Sequence, residues 1–160
     1  MFTHLLVPLD GSDFAELALQ YALSLAEKYG AELTLLRVVN PPRWQSMMEA
    51  ESPELFEKLR HSVELDARNY LDYQKTALEQ AGYRVQMRIE CCDKPPADAI
   101  LDAVEAWDAD AIVMSTHGRS GLQRWMFGSV AERVVRHAQV PVLLIRPGGK
   151  RPLAPTPSSS

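Results

Sequence analysis

The stretch "AIVMSTHGRSGLQRWMFGSVAERVVRHAQVPVLLIR", residues 111–146, places a helical run between two apolar, strand-like runs. "AIVMS" (111–115) and "VPVLLIR" (140–146) are short and apolar, which is typical of strands buried in a parallel sheet. A long connection with three glycines follows the first strand, and the helix after it ends at about Ala138. This order predicts two parallel strands joined by a crossover helix.

The same alternation runs through the rest of the chain. Compact or alternating apolar runs predict three further strands, over 4–10, 31–39 and 83–91. Helical spacing and capping residues predict three further helices, over 12–29, 52–81 and 95–107. In the long second helix we expect Leu55, Leu59 and Val63 to face the core. The chain is therefore predicted to be an α/β protein, a single doubly wound open sheet of five parallel strands with helices on both faces. Ligands of such sheets bind at the carboxyl ends of the strands.

Composition excludes several classes of function. The chain has 160 residues, a formal charge of −4 and a pI near 5.6, so it has no basic surface of the kind that binds nucleic acid. No apolar run approaches the roughly 18 residues of a membrane span, and the N-terminus lacks the pattern of a signal peptide. The only cysteines, Cys91 and Cys92, are adjacent and poorly placed to form a disulfide with each other. We expect a cytoplasmic protein that binds neither membrane nor nucleic acid, with a disordered tail over 148–160.

The connection between the fourth strand and the last helix has the composition of a phosphate-binding loop. Gly118, Gly121 and Gly128 allow close approach of the backbone, and the helix that follows offers its N-terminal amides to an anion. No lysine follows in the pattern G-x-x-x-x-G-K-S/T, so the loop is not a P-loop. No G-x-G-x-x-G follows the first strand, so the dinucleotide motif is absent too.

"LLVPLDGS" near the start and "VMSTHGRSGLQRWMFGSVAERVVRHAQVPVLLIR" near the end resemble the universal stress protein family. The resemblance covers residues 1–147 as one domain, and it implies the strand order 3-2-1-4-5 of the adenine nucleotide alpha hydrolase-like fold. Nucleotide-binding members carry G-x2-G-x9-G-S/T after the fourth strand. Gly118, Gly128 and Ser129 match its last three elements, and Ser115 occupies the place of the first glycine. A serine there permits close backbone approach unless the position requires a positive φ.

The resemblance also implies a ligand, ATP with Mg²⁺ or Mn²⁺, and the residues that hold it. Pro8, Asp10 and Val38 would lie on the adenine and ribose side, and Asp10 would also lie near the metal. Met114 and Ser115 would form the floor. The phosphates would lie along the loop and the start of the last helix, against Gly118, Arg119, Gly121, Gly128, Ser129 and Val130.

Several of these side chains have simpler interpretations. Asp10 is also suited to capping the turn before the first helix. Ser129 stands three residues before Glu132, as in a capping box, so capping and phosphate binding would compete for its hydroxyl. His117 lacks a carboxylate spaced to orient it as a base, which favours a solvated histidine. Arg119 and Arg124 either clamp phosphate or are simply exposed. The apolar residues 125–127 either anchor the loop or contact a partner.

Assembly and activity complete the sequence-based hypothesis. The fifth strand should lie at the edge of the sheet, and its apolar residues Val140, Val142 and Leu144 favour a homodimer formed through that edge. We expect a stress-response regulatory module that binds ATP as a dimer. One rival is a slow ATPase or an adenylyl-transfer enzyme at the same site, for which no positioned general base is visible. The other, which Ser115 favours, is a dimeric scaffold without nucleotide.

Overall fold

The computed structural model describes residues 1–40, 51–116 and 128–146, in which strands and helices alternate. In chain order the elements are β1 (His4–Pro8), α1 (Asp13–Tyr29), β2 (Glu32–Val39), α2 (Pro53–Gln80), β3 (Val85–Cys91), α3 (Pro96–Ala106), β4 (Ala111–Ser115), α4 (Ser129–His137) and β5 (Val142–Ile145). All five predicted strands are present; β4 has its predicted bounds, and each of the others is shorter than predicted by one to three residues.

The strands form one sheet in the order β3-β2-β1-β4-β5, and every neighbouring pair is parallel. Both the predicted order and the predicted fold class are confirmed. The chain starts at the centre of the sheet, moves outward through β2 to β3, and then crosses back to β4. The carboxyl ends of β1 and β4 are therefore neighbours at the point where the direction of winding reverses, which is where such folds bind their ligands.

Side chains alternate between two apolar cores, one on each face of the sheet. Alternate residues such as Leu5 and Leu33 pack with α1 and α2 in the first core. The strand residues that alternate with them, such as Leu6 and Leu36, pack with α3 and α4 in the second core. Because both faces are covered, β1 and β4 have completely apolar interiors, as parallel strands in this fold class do.

The ends of α1 follow the predicted capping signals. The Oγ of Ser12 accepts a hydrogen bond of 3.2 Å from the amide of Ala15, which is the N-cap interaction. At the other end Gly30 has a left-handed φ of 66°, and the chain turns directly into β2. These local signals hold α1 at a fixed length between the first two strands.

The second helix departs from its prediction in one respect. Leu55, Leu59 and Val63 were expected to face the core, but they are 48%, 39% and 46% exposed. Farther along the same helix, Leu71 and Leu78 are buried against the sheet. The helical period was read correctly, but α2 packs on the sheet mainly through its second half. The apolar spacing of a helix predicts which face is apolar, but it does not predict how much of that face packs on the sheet.

Within the three described ranges, no helix combines the length and apolar character needed to cross a membrane. The predicted domain boundary at residue 147 and the predicted disordered tail over 148–160 lie outside the described residues, so both stay predictions.

Candidate functional site

A cavity of about 330 Å³ lies at the carboxyl ends of β1 and β4, within the volume range of small-molecule sites. It has contributions from β1, β2, β4 and the first turns of three helices. Eight of the residues predicted for the nucleotide line it: Pro8, Asp10, Val38, Met114, Ser115, Gly128, Ser129 and Val130. Residues from distant parts of the chain thus meet where the sequence analysis placed a ligand.

Asp10 is held in the turn between β1 and α1. Its Oδ1 accepts hydrogen bonds from the amide of Ser12 at 3.0 Å and from the hydroxyl of Ser12 at 2.5 Å. Gly11 between them has a φ of 79°, a conformation that favours glycine. The turn-forming role considered for Asp10 is therefore present. It does not exclude a ligand, because a carboxylate offers about four acceptor positions on its two oxygens.

The floor of the cavity is formed where β4 ends. Met114 and Ser115 are buried, and Ser115 pairs with Ile145 of the edge strand in regular sheet geometry. Among the non-glycine residues that the structure describes, a positive φ occurs at Asp108 and not at Ser115. The backbone of Ser115 therefore does not require glycine, and its small side chain leaves room above the strand.

The start of α4 corrects the capping prediction for Ser129. The N-cap of α4 is Gly128, and Ser129 is the first helical residue, with no side-chain cap on this helix. The amide of Glu132 donates to the carbonyl oxygen of Gly128 at 3.0 Å, which sets the register of the first turn. A capping box needs its serine at the N-cap, one residue earlier. The Ser129 hydroxyl is exposed at the cavity rim and has no capping role.

The sequence analysis missed seven residues of the cavity wall. Most are apolar and come from strands or helices that were read as core: Leu9, Ala15, Leu36, Pro96, Ile100, Thr116 and Ala131. A signal existed for Leu36, because it lies two residues before Val38 and so shares its face of β2. For Pro96 and Ile100 the sequence held no comparable signal, since only the packing of α3 against the sheet brings them to the site.

Several predicted site residues cannot be placed. Gly118, Arg119 and Gly121, together with His117, Arg124 and the apolar residues 125–127, lie outside the described residues. Their roles on the phosphate side stay predictions.

A polar cluster, formed by Glu16, Arg37, Tyr70 and Gln74, lies behind the Asp10 turn on the opposite face of the sheet. Glu16 of α1 accepts hydrogen bonds from the Tyr70 hydroxyl at 3.3 Å and from Gln74 at 3.2 Å. The guanidinium carbon of Arg37 lies 6.0 Å from the centre of the Tyr70 ring. Burial, reinforced by the negative charge of Glu16, raises the pKa of Tyr70 to about 12, so the phenol remains a hydrogen-bond donor.

The metal ligands at the cavity are few. Within the described ranges there is no group of three or more His, Cys, Asp or Glu side chains suited to hold a metal ion. Asp10 contributes one carboxylate at the cavity. This donor set fits Mg²⁺ or Mn²⁺ bound together with phosphate oxygens and water, since Mg²⁺ commonly uses one or two carboxylates plus phosphates of its ligand. It does not fit a metal that needs a complete protein cage.

β5 forms one edge of the sheet, as predicted. Val140, Val142 and Leu144 are partly buried against the core on the α4 side, whereas Leu143 on the opposite face is 41% exposed. The carbonyl oxygens of Pro141 and Ile145 accept hydrogen bonds from β4 and the residue after it. Because backbone groups alternate along a strand, those of Val142 and Leu144 point away from β4.

Comparison with known proteins identifies the family. A sequence model of the universal stress protein family matches residues 1–146 of the chain. The chain belongs to the universal stress protein family. One curated relative is the universal stress protein MJ0531 of Methanocaldococcus jannaschii, which is 32% identical over 91% of this chain and 83% of its own length. The universal stress protein YxiE of Bacillus subtilis is 31% identical over 91% of this chain and 100% of its own length.

Solved structures of other proteins share the architecture. The hypothetical protein MJ0577 superimposes with a TM-score of 0.80 and 28% identity, covering 94% of this chain and 99% of its own. Two more distant structures hold adenine nucleotides. A universal stress protein from Archaeoglobus fulgidus in complex with dAMP has a TM-score of 0.62 and 21% identity, with 90% and 97% of the two chains covered. Another universal stress protein, solved in complex with cAMP, has a TM-score of 0.60 and 22% identity, and the match covers 91% of this chain and 97% of that one.

Proposed function

We propose that this universal stress protein binds ATP in the cavity at the carboxyl ends of β1 and β4. The observation that carries the proposal is the convergence of residues on one cavity. Pro8 and Asp10, Val38, Met114 and Ser115, and the start of α4 come from four separate segments, and all line it. The shared fold alone would bring these positions together, so the residue types that stand there, the acidic Asp10 and the small Ser115 beside the uncapped start of α4, support the nucleotide.

The two ends of the cavity differ in chemistry. Val38, Met114 and Ile100 provide apolar wall suited to the flat faces of a purine. At the other end α4 begins, and its first amides have neither a partner within the helix nor a side-chain cap. Those amides and the positive end of the helix dipole favour an anion such as a phosphate. We propose that Gly118, Arg119 and Gly121 extend this phosphate path.

The cation of the site would be Mg²⁺ or Mn²⁺. Asp10 would contribute a carboxylate oxygen, and the phosphates and water would contribute the remaining ligands. When bound, such a cation neutralises phosphate charge. The part that this chain plays is to hold Asp10 at a defined place beside the phosphate path, which the two hydrogen bonds from Ser12 support.

Relatives support an adenine nucleotide as the class of ligand. Two proteins with the same fold were solved with dAMP and with cAMP. Both are distant, so they support the capacity of the fold to hold an adenine nucleotide. ATP itself is our proposal for this chain, and it is based on the two ends of the cavity described above.

Regulation rather than rapid turnover is the role we propose. Any hydrolysis of ATP is expected to be slow, far below the median enzyme turnover of about 10 per second. Phosphoryl transfer requires a group that orients the attacking water. Asp10 lines the cavity, and the family resemblance assigns it to the ribose or the cation rather than to the γ-phosphate. The measurement is the turnover of wild type, Asp10→Ala and His117→Ala. The contrary outcome is a wild-type rate of about 10 per second that His117→Ala abolishes while ATP affinity is unchanged. That outcome would make this protein an enzyme.

We further propose that the protein acts in the cytoplasm as a homodimer. The supporting feature is the open edge of β5, whose outward backbone groups lie beside partly buried Val142 and Leu144. A second copy related by a twofold axis would pair those groups and cover the exposed Leu143.

The central experiment is a calorimetric titration of ATP with Mg²⁺. Val38→Trp should fill the apolar end of the cavity and weaken ATP binding by about tenfold or more. Val135→Trp is the matched control, because Val135 is exposed on α4 and does not line the cavity. Gly118→Val should block the phosphate path in the same assay.

The outcomes separate the candidate functions. ATP binding by wild type and Val135→Trp, with loss in Val38→Trp, supports the proposed site. Equal affinities in wild type and Val38→Trp would place the nucleotide elsewhere. The absence of binding in every form, with no adenine absorbance released by acid from the purified protein, would leave the scaffold function in place of the nucleotide-binding one.

A further inference from the structure

Leu9, the last residue before Asp10, is bonded to β2 through both its amide and its carbonyl oxygen. Its amide donates to the carbonyl oxygen of Leu36 at 2.8 Å and extends the ladder between β1 and β2. Its carbonyl oxygen accepts a hydrogen bond of 3.2 Å from the guanidinium of Arg37. The next peptide begins the Asp10 turn, so Arg37 holds the last backbone atom before the carboxylate of the proposed site.

Arg37 cannot act on a ligand directly, because its side chain lies on the wrong face of the sheet. Leu36 and Val38 line the cavity, and the residue between them on β2 projects to the opposite face. There Arg37 stacks near the ring of Tyr70, and the hydroxyl of Tyr70 bonds Glu16 in the first turn of α1. The guanidinium thus lies near Tyr70 of α2, and Glu16 of α1 holds the hydroxyl of that tyrosine.

Arg37 is half-buried in the strand "ELTLLRVV". Even partial burial of its charge is costly without a partner, because charged groups are rarely buried unless they are paired. Its neighbours on the same face of β2 are apolar, with Leu33 and Leu35 fully buried. The specific contact from Arg37 to the turn is a charge-assisted hydrogen bond, which is stronger and more directional than a neutral one. A residue chosen for packing alone would not need a guanidinium here.

We propose that Arg37 is a positioning residue for Asp10. By fixing the carbonyl of Leu9, it determines where the turn begins and where the Asp10 carboxylate stands relative to the phosphates and cation. This inference rests on the proposed ATP site and adds to it a residue on the opposite face of the sheet, outside the cavity.

The test is a double-mutant cycle in ATP affinity, measured by calorimetry with Mg²⁺. Arg37→Gln should weaken ATP binding by about tenfold, the factor that corresponds to about 1.4 kcal/mol. Asp10→Asn should weaken it as well, while its side-chain oxygen can still accept the bonds from Ser12. In the double variant the loss should be smaller than the product of the two single losses, because Arg37 acts through Asp10.

Arg88→Gln provides a matched control. Arg88 also stacks on an aromatic ring, with its guanidinium carbon 5.6 Å from the centre of Trp107. Its guanidinium donates hydrogen bonds to the carbonyl oxygen of Met87 and to the side-chain oxygen of Gln86, both in β3, and it does not line the cavity. Arg88→Gln should leave ATP affinity unchanged, although it removes a comparable arginine.

A second measurement needs no nucleotide. The amide of Ser12 donates to Asp10 at 3.0 Å, so its hydrogen exchange reports how firmly the turn is held. Exchange at Ser12, followed by nuclear magnetic resonance, should be faster in Arg37→Gln and unchanged in Arg88→Gln. This readout responds to the turn and not to overall stability, provided that amides in the centre of β1 stay protected in both variants.

The outcomes distinguish the two proposals. If wild type binds ATP and Arg37→Gln binds it equally well, Arg37 has no positioning role and the ATP site stands. Fully multiplicative losses in the cycle would likewise overturn the action through Asp10. If wild type binds no adenine nucleotide, the proposed function fails, and the positioning of a ligand-binding Asp10 fails with it. Unchanged hydrogen exchange at Ser12 in Arg37→Gln would by itself refute the claim that Arg37 holds the Asp10 turn in place.

Discussion

The carbonyl oxygen of Thr116 accepts a hydrogen bond of 2.8 Å from the amide of Gly128. The amide of Thr116 in turn donates to Ile145 of the edge strand at 3.0 Å. The end of β4, the start of α4 and the end of β5 are therefore tied together at the rim of the cavity. Residues 117–127 connect Thr116 to Gly128, which are hydrogen-bonded to each other. The length of this connection is therefore not needed to bridge the distance between its two ends. Loops frequently carry binding residues, which is consistent with the phosphate path proposed for Gly118, Arg119 and Gly121.

Ser129→Ala and Ser12→Ala should differ in their effect on the stability of the fold. Ser129 has no capping bond, so Ser129→Ala should change the free energy of unfolding by less than about 0.5 kcal/mol while weakening ATP binding. Ser12 caps α1 through Ala15, so Ser12→Ala should cost about 1 kcal/mol of stability. Urea unfolding and ATP calorimetry on both variants measure the two effects. A clear stability loss in Ser129→Ala would restore the capping role.

Val142→Pro should convert the proposed dimer to a monomer. The substitution removes an amide that points to the open edge, and Val142 is the first residue of β5, where proline is tolerated. The ladder to β4 uses the backbone of the flanking residues and should survive. Light scattering at micromolar concentration measures the mass. If wild type itself has the mass of a monomer, or if Val142→Pro remains a dimer with an intact fold, pairing through β5 is wrong.

Tyr70 should lose its proton late in an alkaline titration. Burial, followed by the charge and hydrogen bond of Glu16, raises its pKa to about 12 from the ordinary value of 10.0. A raised pKa means that the stabilising contribution is complete below pH 10 and is lost as the pH rises toward 12. Tyrosinate absorbance should show a step near pH 12 that Tyr70→Phe removes and Tyr73→Phe, at an exposed site, leaves in place.

Glu16→Gln tests how far Glu16 contributes to the raised pKa of Tyr70. It removes the negative charge beside the phenol, so the late step should move to lower pH. A step that stays where it was would mean that burial alone sets the pKa of Tyr70.

Asp110 should make the stability of the sheet depend on acid pH. Its carboxylate accepts hydrogen bonds from the amide and hydroxyl of Thr3 at 2.6 and 2.7 Å and from the amide of His4 at 3.3 Å. Partial burial opposes its ionisation, but these bonds outweigh burial and lower its pKa below the ordinary 3.8. The contribution is therefore present above pH 3.8 and is lost as the pH falls through the lower folded value.

The measurement is the difference in urea stability between wild type and Asp110→Asn. It should be largest near neutral pH and should shrink below pH 3.8 as the carboxylate of the wild type takes up its proton. A difference that is constant over this range would show that Asp110 stabilises the fold independently of its charge.

The elements of this protein and their parallel arrangement were predictable from local patterns. Apolar runs of strand length, helical spacing, Ser12 at one helix start and Gly30 at a helix end are properties of neighbouring residues, which a sequence displays directly. The alternation of strands and helices then leaves few topologies open, because crossovers are right-handed and parallel sheets must be covered on both faces. The family resemblance supplied the strand order.

Other features depended on packing between residues far apart in the chain. Pro96 and Ile100 reach the cavity because α3 begins at the carboxyl edge of the sheet and packs against the face that carries the cavity, and no local period encodes that packing. The exposure of Leu55, Leu59 and Val63 depends on where the sheet ends beneath α2. Ser129 failed as an N-cap because the hydrogen bond between Thr116 and Gly128 sets where α4 begins. The contact of Arg37 with Leu9 joins two strands, so only the folded sheet brings that guanidinium to the turn that carries Asp10.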